Sequence, residues 1–166
     1  MRNFFKFALV ILMLLVVPND SIAMGRQIKR NTALNNEAPD FTLYDVAGDK
    51  VTLSDFKDKN SVLLFFWFAR CPFCIRDIDS LNKDYPEIKK DDLKFLSINI
   101  GDSAETVKRY TKDKNIAFPI LLDKGSNVAL KYDLIGVPTY VLIDKQGVVR
   151  LITNEFPGDY KEVLAK

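Results

Sequence analysis

The chain contains no histidine and only two cysteines among its 166 residues. These absences remove several chemistries at the outset. A zinc site needs about four ligands, chiefly of the Cys and His type. One copy of this chain offers neither an imidazole nor a third thiol, so a metal site would need unusual carboxylate ligands. Covalent haem attachment requires His directly after the second cysteine of a C-x-x-C pair. Ile75 stands there instead. No apolar run reaches the roughly 20 residues that span a bilayer comfortably. There is no Lys/Arg stripe, and the formal net charge is +2 with both signs well mixed, so nothing asks for nucleic acid. Internal repeats, low-complexity tracts and coiled-coil heptads are also missing.

What remains is a pair of thiols, Cys71-Pro72-Phe73-Cys74. They sit where an apolar, strand-like run, Ser61 to Phe68, gives way to a helix-like segment from Pro72. A thiol at a helix N-terminus faces unpaired backbone N–H groups and the positive end of the helix dipole, which favours its thiolate. A second thiol three residues on lies one turn away, within reach of the first. As a structural staple the pair would be poor, because so short a loop removes little chain entropy. A peroxidatic cysteine of the peroxiredoxin kind usually follows a Thr three residues earlier, and Phe68 occupies that place. The pair reads as a redox dithiol, with Cys71 and Cys74 able to form a reversible disulfide.

The N-terminus differs in kind from the rest. Arg2 and Lys6 form a basic patch, Phe7 to Val17 is unbroken apolar sequence, and Ser21-Ile22-Ala23 supplies small residues suited to cleavage. Residues 1–23 are therefore expected to be a signal peptide or, alternatively, a retained N-terminal membrane anchor. With no Cys near this run, lipoprotein processing is excluded. Residues 24–37 are polar and aperiodic and read as a linker, leaving residues 38–166 as one domain. Its expected location is extracytoplasmic, where disulfides persist.

Along that domain, Phe41–Asp45 and Lys50–Thr52 flank the turn-forming Ala47-Gly48-Asp49 and predict an N-terminal β-hairpin. Val62–Phe68 shows no polar alternation, as in a strand buried on both faces. Ile75, Ile78 and Leu81 recur at helical spacing, and Pro86 is expected to end or kink that helix. Leu93–Ile100 predicts a second buried strand. Asp102-Ser103 predicts the cap of a polar helix reaching Lys114. Phe118–Leu122 reads as a strand and Ser126–Tyr132 as a short helix. Thr139–Ile143 and Val148–Thr153 form a hairpin about Asp144-Lys145-Gln146-Gly147, and Asp159–Ala165 is a terminal helix. Strands alternating with helices, then a closing hairpin and helix, predict an α/β fold with a mixed central sheet flanked by helices.

At this point the sequence resembles the thioredoxin superfamily, in particular its TlpA/ResA-like extracytoplasmic thiol-disulfide oxidoreductases within the wider redoxin and AhpC/TSA group. The resemblance is carried by Ala38-Pro39-Asp40-Phe41-Thr42-Leu43, by Phe66-Trp67 before the cysteines, by Phe118-Pro119-Ile120-Leu121-Leu122-Asp123, and by Gly136-Val137-Pro138-Thr139, all in the expected order. It implies a thioredoxin-like fold, no cofactor, and a cis Pro138 lying against the dithiol. The backbone of Val137 would then be free to pair with an extended substrate segment. From the residues alone, Pro138 reads equally as a turn proline. The resemblance also places Asp77 where relatives carry a buried acid, usually Glu, that could exchange a proton with Cys74. An exposed acid favoured by the helix dipole is the plainer alternative. Trp67 is expected either in the wall of the site or in the core. Arg70 stands where many relatives have Trp, and would favour the Cys71 thiolate or touch a partner.

The implied chemistry is disulfide exchange with exported proteins that carry disulfides or dithiols, with reduction favoured and a membrane electron donor implied. Cytochrome c maturation is the implied setting. Pro72 resembles the Cys-Pro-X-Cys of glutaredoxins and of the oxidant DsbA, which leaves the direction of electron flow open, with a disulfide oxidase or isomerase as the alternative. A non-catalytic binding module on the same fold is the competing class.

Overall fold

The structure, a computed structural model, describes residues 33–166. The expected signal or anchor, residues 1–23, and residues 24–32 lie outside the described residues. Among the described residues no helix is long and apolar enough to cross a membrane.

A small hairpin comes first, β1 (Thr42–Tyr44) and β2 (Lys50–Thr52), paired antiparallel with Leu43 opposite Val51. Asp45 Oδ1 accepts from the N–H groups of Ala47, Gly48 and Asp49 at 2.8–2.9 Å. Gly48 takes φ +102°, a conformation that suits a residue without Cβ. The five remaining strands form one mixed sheet: β3 (Ser61–Trp67), β4 (Leu93–Ile100), β5 (Ile120–Asp123), β6 (Thr139–Ile143) and β7 (Val149–Thr153). Their order is β5-β4-β3-β6-β7; the first three run parallel and β6 and β7 antiparallel.

All seven residues of β3 are buried, and the period of two sends them to opposite faces. Leu63, Phe65 and Trp67 enter one core cluster with Cys74, Ile78 and Leu81 of α1 (Pro72–Ile88). Val62, Leu64 and Phe66 enter the other with Val128 of α3 (Asn127–Lys131). Helices on both faces explain why the run shows no polar alternation. Helices α2 (Ala104–Thr111) and α4 (Tyr160–Leu164) complete the first layer, through Val107 and Tyr160. The α/β thioredoxin-like fold with its N-terminal hairpin is thus present.

Several boundaries differ from expectation for local reasons. The domain begins no later than Ala33, which is buried, and the backbone of Asn35 and Asn36 pairs with Val149. A polar stretch without periodicity can cover a sheet edge through backbone bonds alone, so residues 33–37 are part of the domain. Helix α1 continues two residues past Pro86, to Ile88. Strand β5 starts after Pro119, which lacks a ladder donor. Helix α2 stops at Thr111, and its cap is Ser103, whose hydroxyl accepts from Thr106 N at 3.1 Å. Asp102 is turned elsewhere.

Candidate active site

Strand β3 ends at Trp67, in the middle of the sheet, and Phe68–Arg70 carry the chain to the start of α1. Cys71 is the N-cap of α1 with extended backbone, φ −89° and ψ 109°, and Pro72 fills the first helical position. Proline suits that position because no intrahelical partner awaits its missing N–H. Cys71 Sγ accepts from Cys74 N at 3.1 Å, and the two sulfurs are joined in a disulfide. Cys71 is 5% exposed and Cys74 is fully buried, so of the two residues only Cys71 reaches the surface. The expected redox pair is therefore assembled at a helix N-terminus, where the dipole and free N–H groups favour a thiolate on Cys71.

The Val137–Pro138 bond is cis. It brings the Val137 carbonyl oxygen to 3.9 Å from Cys71 Sγ. The loop is held by two side chains, that of Thr139 from the motif and that of Asn154, which sequence reasoning did not single out. Thr139 Oγ1 donates to Gly136 O at 2.8 Å, and Asn154 Nδ2 donates to Pro138 O at 2.7 Å. Around this junction lie exposed apolar side chains: Phe68, Phe73 between the cysteines at 61% exposure, and Ile135 at 97%. The Arg76 guanidinium stacks over Phe73, 5.5 Å from the ring centroid.

Asp77 is half-buried on α1, one turn beyond Cys74, and its Oδ2 accepts from the Tyr140 hydroxyl at 2.9 Å. Burial, with the Asp77 charge adding to it, pushes the Tyr140 phenol well above its ordinary range. The phenol therefore stays protonated and remains a donor. Trp67 does not face a partner. It has no exposure, and its indole N–H donates to Ser97 Oγ at 2.7 Å inside the core. As the inward-facing end of β3 it underlies the cysteines in the same cluster, so the core reading of this residue describes its place and a substrate contact does not. Arg70 is exposed beside Cys71.

Asp102 is a further addition. Its Oδ2 accepts from Ala69 N at 2.7 Å and from Asn99 Nδ2 at 3.0 Å, so it braces the loop before Cys71 against the end of β4. The signal that could have found it is register: Trp67 pairs with Asn99, which puts the loops after β3 and β4 side by side.

A disulfide capping a helix beside a cis-proline loop on this fold defines a thiol-disulfide oxidoreductase of the thioredoxin class. Comparison with known proteins agrees. Residues 34–152 match the model of the AhpC/TSA family, and the chain belongs to that family. It is 36% identical to the thiol-disulfide oxidoreductase ResA of Geobacillus kaustophilus, over 75% of this chain and 71% of that one. It is 34% identical to the ResA of Bacillus thuringiensis subsp. konkukian, over 70% of this chain and 66% of the relative. The match thus spans about two thirds of the length of that protein. Among solved structures, the thioredoxin domain of a thiol-disulfide oxidoreductase from Bacteroides vulgatus superposes with TM-score 0.66 and 29% identity, over 79% of this chain and 95% of that domain.

Proposed function

We propose that the chain reduces disulfides in exported proteins through the Cys71–Cys74 pair. The observation that carries the reading is the pairing of a helix-capping Cys71, which lies 3.9 Å from the Val137 carbonyl oxygen and keeps 5% exposure, with a fully buried Cys74. In the reduced protein the Cys71 thiolate attacks one client sulfur; the client disulfide breaks, and its other sulfur leaves as a thiolate that takes a proton. A mixed disulfide now joins Cys71 to the client. Cys74 gives up its proton, with Asp77 or water accepting it, and attacks Cys71 Sγ. The second client thiol is released, and the Cys71–Cys74 disulfide of the structure is formed. Two electrons and two protons have moved to the client, and a dithiol donor on the outer side of the membrane must restore the pair.

Among the described residues no backbone partner engages Val137. Its N–H and C=O are therefore open to an extended client segment, in the manner of strand addition. The exposed Phe73 and Ile135 supply apolar contact. Arg70 beside Cys71 favours the attacking thiolate by charge. The basic and apolar N-terminal segment supports export, cleaved or anchored. Similarity to ResA proteins favours reduction; Pro72 between the cysteines is the feature that favours the oxidase alternative.

Equilibration with glutathione tests the direction. A potential near that of thioredoxin, about −270 mV, supports the reductant, and one near −120 mV would make the protein an oxidant. Insulin reduction by the wild type, lost in Cys71→Ala and in Cys74→Ala, separates the enzyme from a binding module.

A further inference from the structure

Residues 38–166 contain four arginines, Arg70, Arg76, Arg109 and Arg150. Arg150 is paired with Asp144. The other three make no ion pair among the described residues, although lysines elsewhere on the surface do so repeatedly. Two of the three meet in one place. Arg70, directly before Cys71, and Arg109 of α2 line an open cavity of about 540 Å³ together with Ala69, Asp102, Thr106 and Tyr110.

The lining is short of negative charge. Its one carboxylate, Asp102, makes no ion pair among the described residues, and its Oδ2 accepts from Ala69 N and Asn99 Nδ2. Tyr110 lines the same wall, and its buried hydroxyl has no partner among the described residues. Two guanidinium groups without an ion pair among the described residues, one of them on the residue directly before Cys71, form an arrangement that a carboxylate would complete. Arginine is suited to this, since its planar fork binds carboxylates through two parallel bonds.

We infer that the cavity between α2 and the loop before Cys71 receives an acidic side chain of the client polypeptide, close in sequence to the cysteine being reduced. Clients are thereby selected for Asp or Glu near the disulfide. The occupant is a polypeptide side chain because Arg70 joins the cavity to Cys71 through the backbone. A segment bound with its sulfur on Cys71 advances only about 3.3 Å per residue, so a neighbouring side chain reaches the Arg70–Arg109 gap. This inference rests on the disulfide-exchange reading above.

The test uses the reduced protein and two synthetic peptide disulfides that differ only in Glu or Gln two residues from the reacting cysteine. The wild type should show a kcat/KM about tenfold higher for the Glu peptide at low salt, a preference that high salt weakens. The Glu-to-Gln ratio should fall toward unity in Arg109→Ala and in Arg70→Ala, and should survive in part in Arg109→Lys, which keeps the charge. Because the readout is a ratio within each variant, a general loss of activity or stability does not mimic it. A wild-type ratio near unity, or one that both alanine variants retain, would overturn the inference and leave the oxidoreductase standing. Failure to exchange with either peptide would overturn both.

Discussion

Tyr140 and Asp77, 63 residues apart in the chain, share a 2.9 Å hydrogen bond that fastens β6 to α1 one turn past Cys74. The phenol comes from the strand that follows the cis-proline loop, and the carboxylate from the helix that carries both sulfurs. The bond therefore joins the two halves of the site. It also fixes which oxygen of Asp77 remains available, because Oδ2 is committed and Oδ1 has no partner among the described residues.

Tyr140→Phe removes this bond and keeps the packing of the ring on Phe65, whose centroid lies 4.8 Å away. The expected cost is about 1 kcal/mol, typical of one net hydrogen bond. If Asp77 accepts the Cys74 proton, release of the mixed disulfide should slow and its pH profile should move, while the first attack by Cys71 keeps its rate. Stopped-flow measurement of the two steps distinguishes this from a purely structural role, which would leave the pH profile in place.

Alkaline pH tests the buried phenols directly. Burial raises both Tyr132 and Tyr140, with Asp40 and Asp77 adding to the respective shifts. A raised value in the folded state means that the unfolded chain loses the proton first. The stabilising contribution is thus complete below about pH 10, the ordinary tyrosine value, and is lost as pH rises above it. Unfolding free energy from urea titration should fall more steeply above that point, by about 1.4 kcal/mol per pH unit for each such tyrosine. Tyr132→Phe should remove one share of that slope. A curve that stays flat to pH 11 would contradict the burial argument.

Much of this was legible in the sequence because the signals are local. A thiol pair at a strand-to-helix junction, an apolar run without alternation and a Gly-Val-Pro-Thr loop each declare themselves within a few residues. The parts that were not legible join distant positions. Asp102 looked like a helix cap because it precedes Ser103, yet the sheet register sets it against Ala69, 33 residues away. Trp67 could have faced either way from sequence alone; the phase of β3 turns it inward to Ser97. Tyr140 carried no signal of its own, since aromatic residues are ordinary in a buried strand.

Asp102→Ala should loosen the loop that aims Cys71. It strands the Ala69 N–H and one Asn99 amide donor, at a cost of about 1–3 kcal/mol for a buried group left unpaired. Asp102→Asn retains an acceptor oxygen and should recover most of that loss. Thermal unfolding of the two variants is the measurement, and equal destabilisation by both would show that the charge of Asp102, not its acceptor geometry, supports the loop.

Cys74→Ser should trap the client. The Cys71 thiolate can still attack, but no second thiol is present to expel the product, so a stable mixed disulfide accumulates. Non-reducing electrophoresis with a disulfide-bearing protein should show this adduct for Cys74→Ser and none for Cys71→Ser. The reverse pattern would exchange the roles of the two sulfurs, against their exposures of 0% and 5%.

Ile135 is 97% exposed in the loop leading to Pro138, so it contributes almost nothing to the core. Replacing it by Asp should change stability by no more than about 0.5 kcal/mol, as for ordinary surface positions. The same change puts a charge where an apolar client segment is expected to lie beside Val137, and desolvating that charge opposes binding. The KM for an unfolded protein substrate should therefore rise several-fold, while the potential of the Cys71–Cys74 pair stays constant. If KM is unmoved, the client crosses the disulfide by another route, and the exposed Phe73 between the two cysteines becomes the position to substitute next.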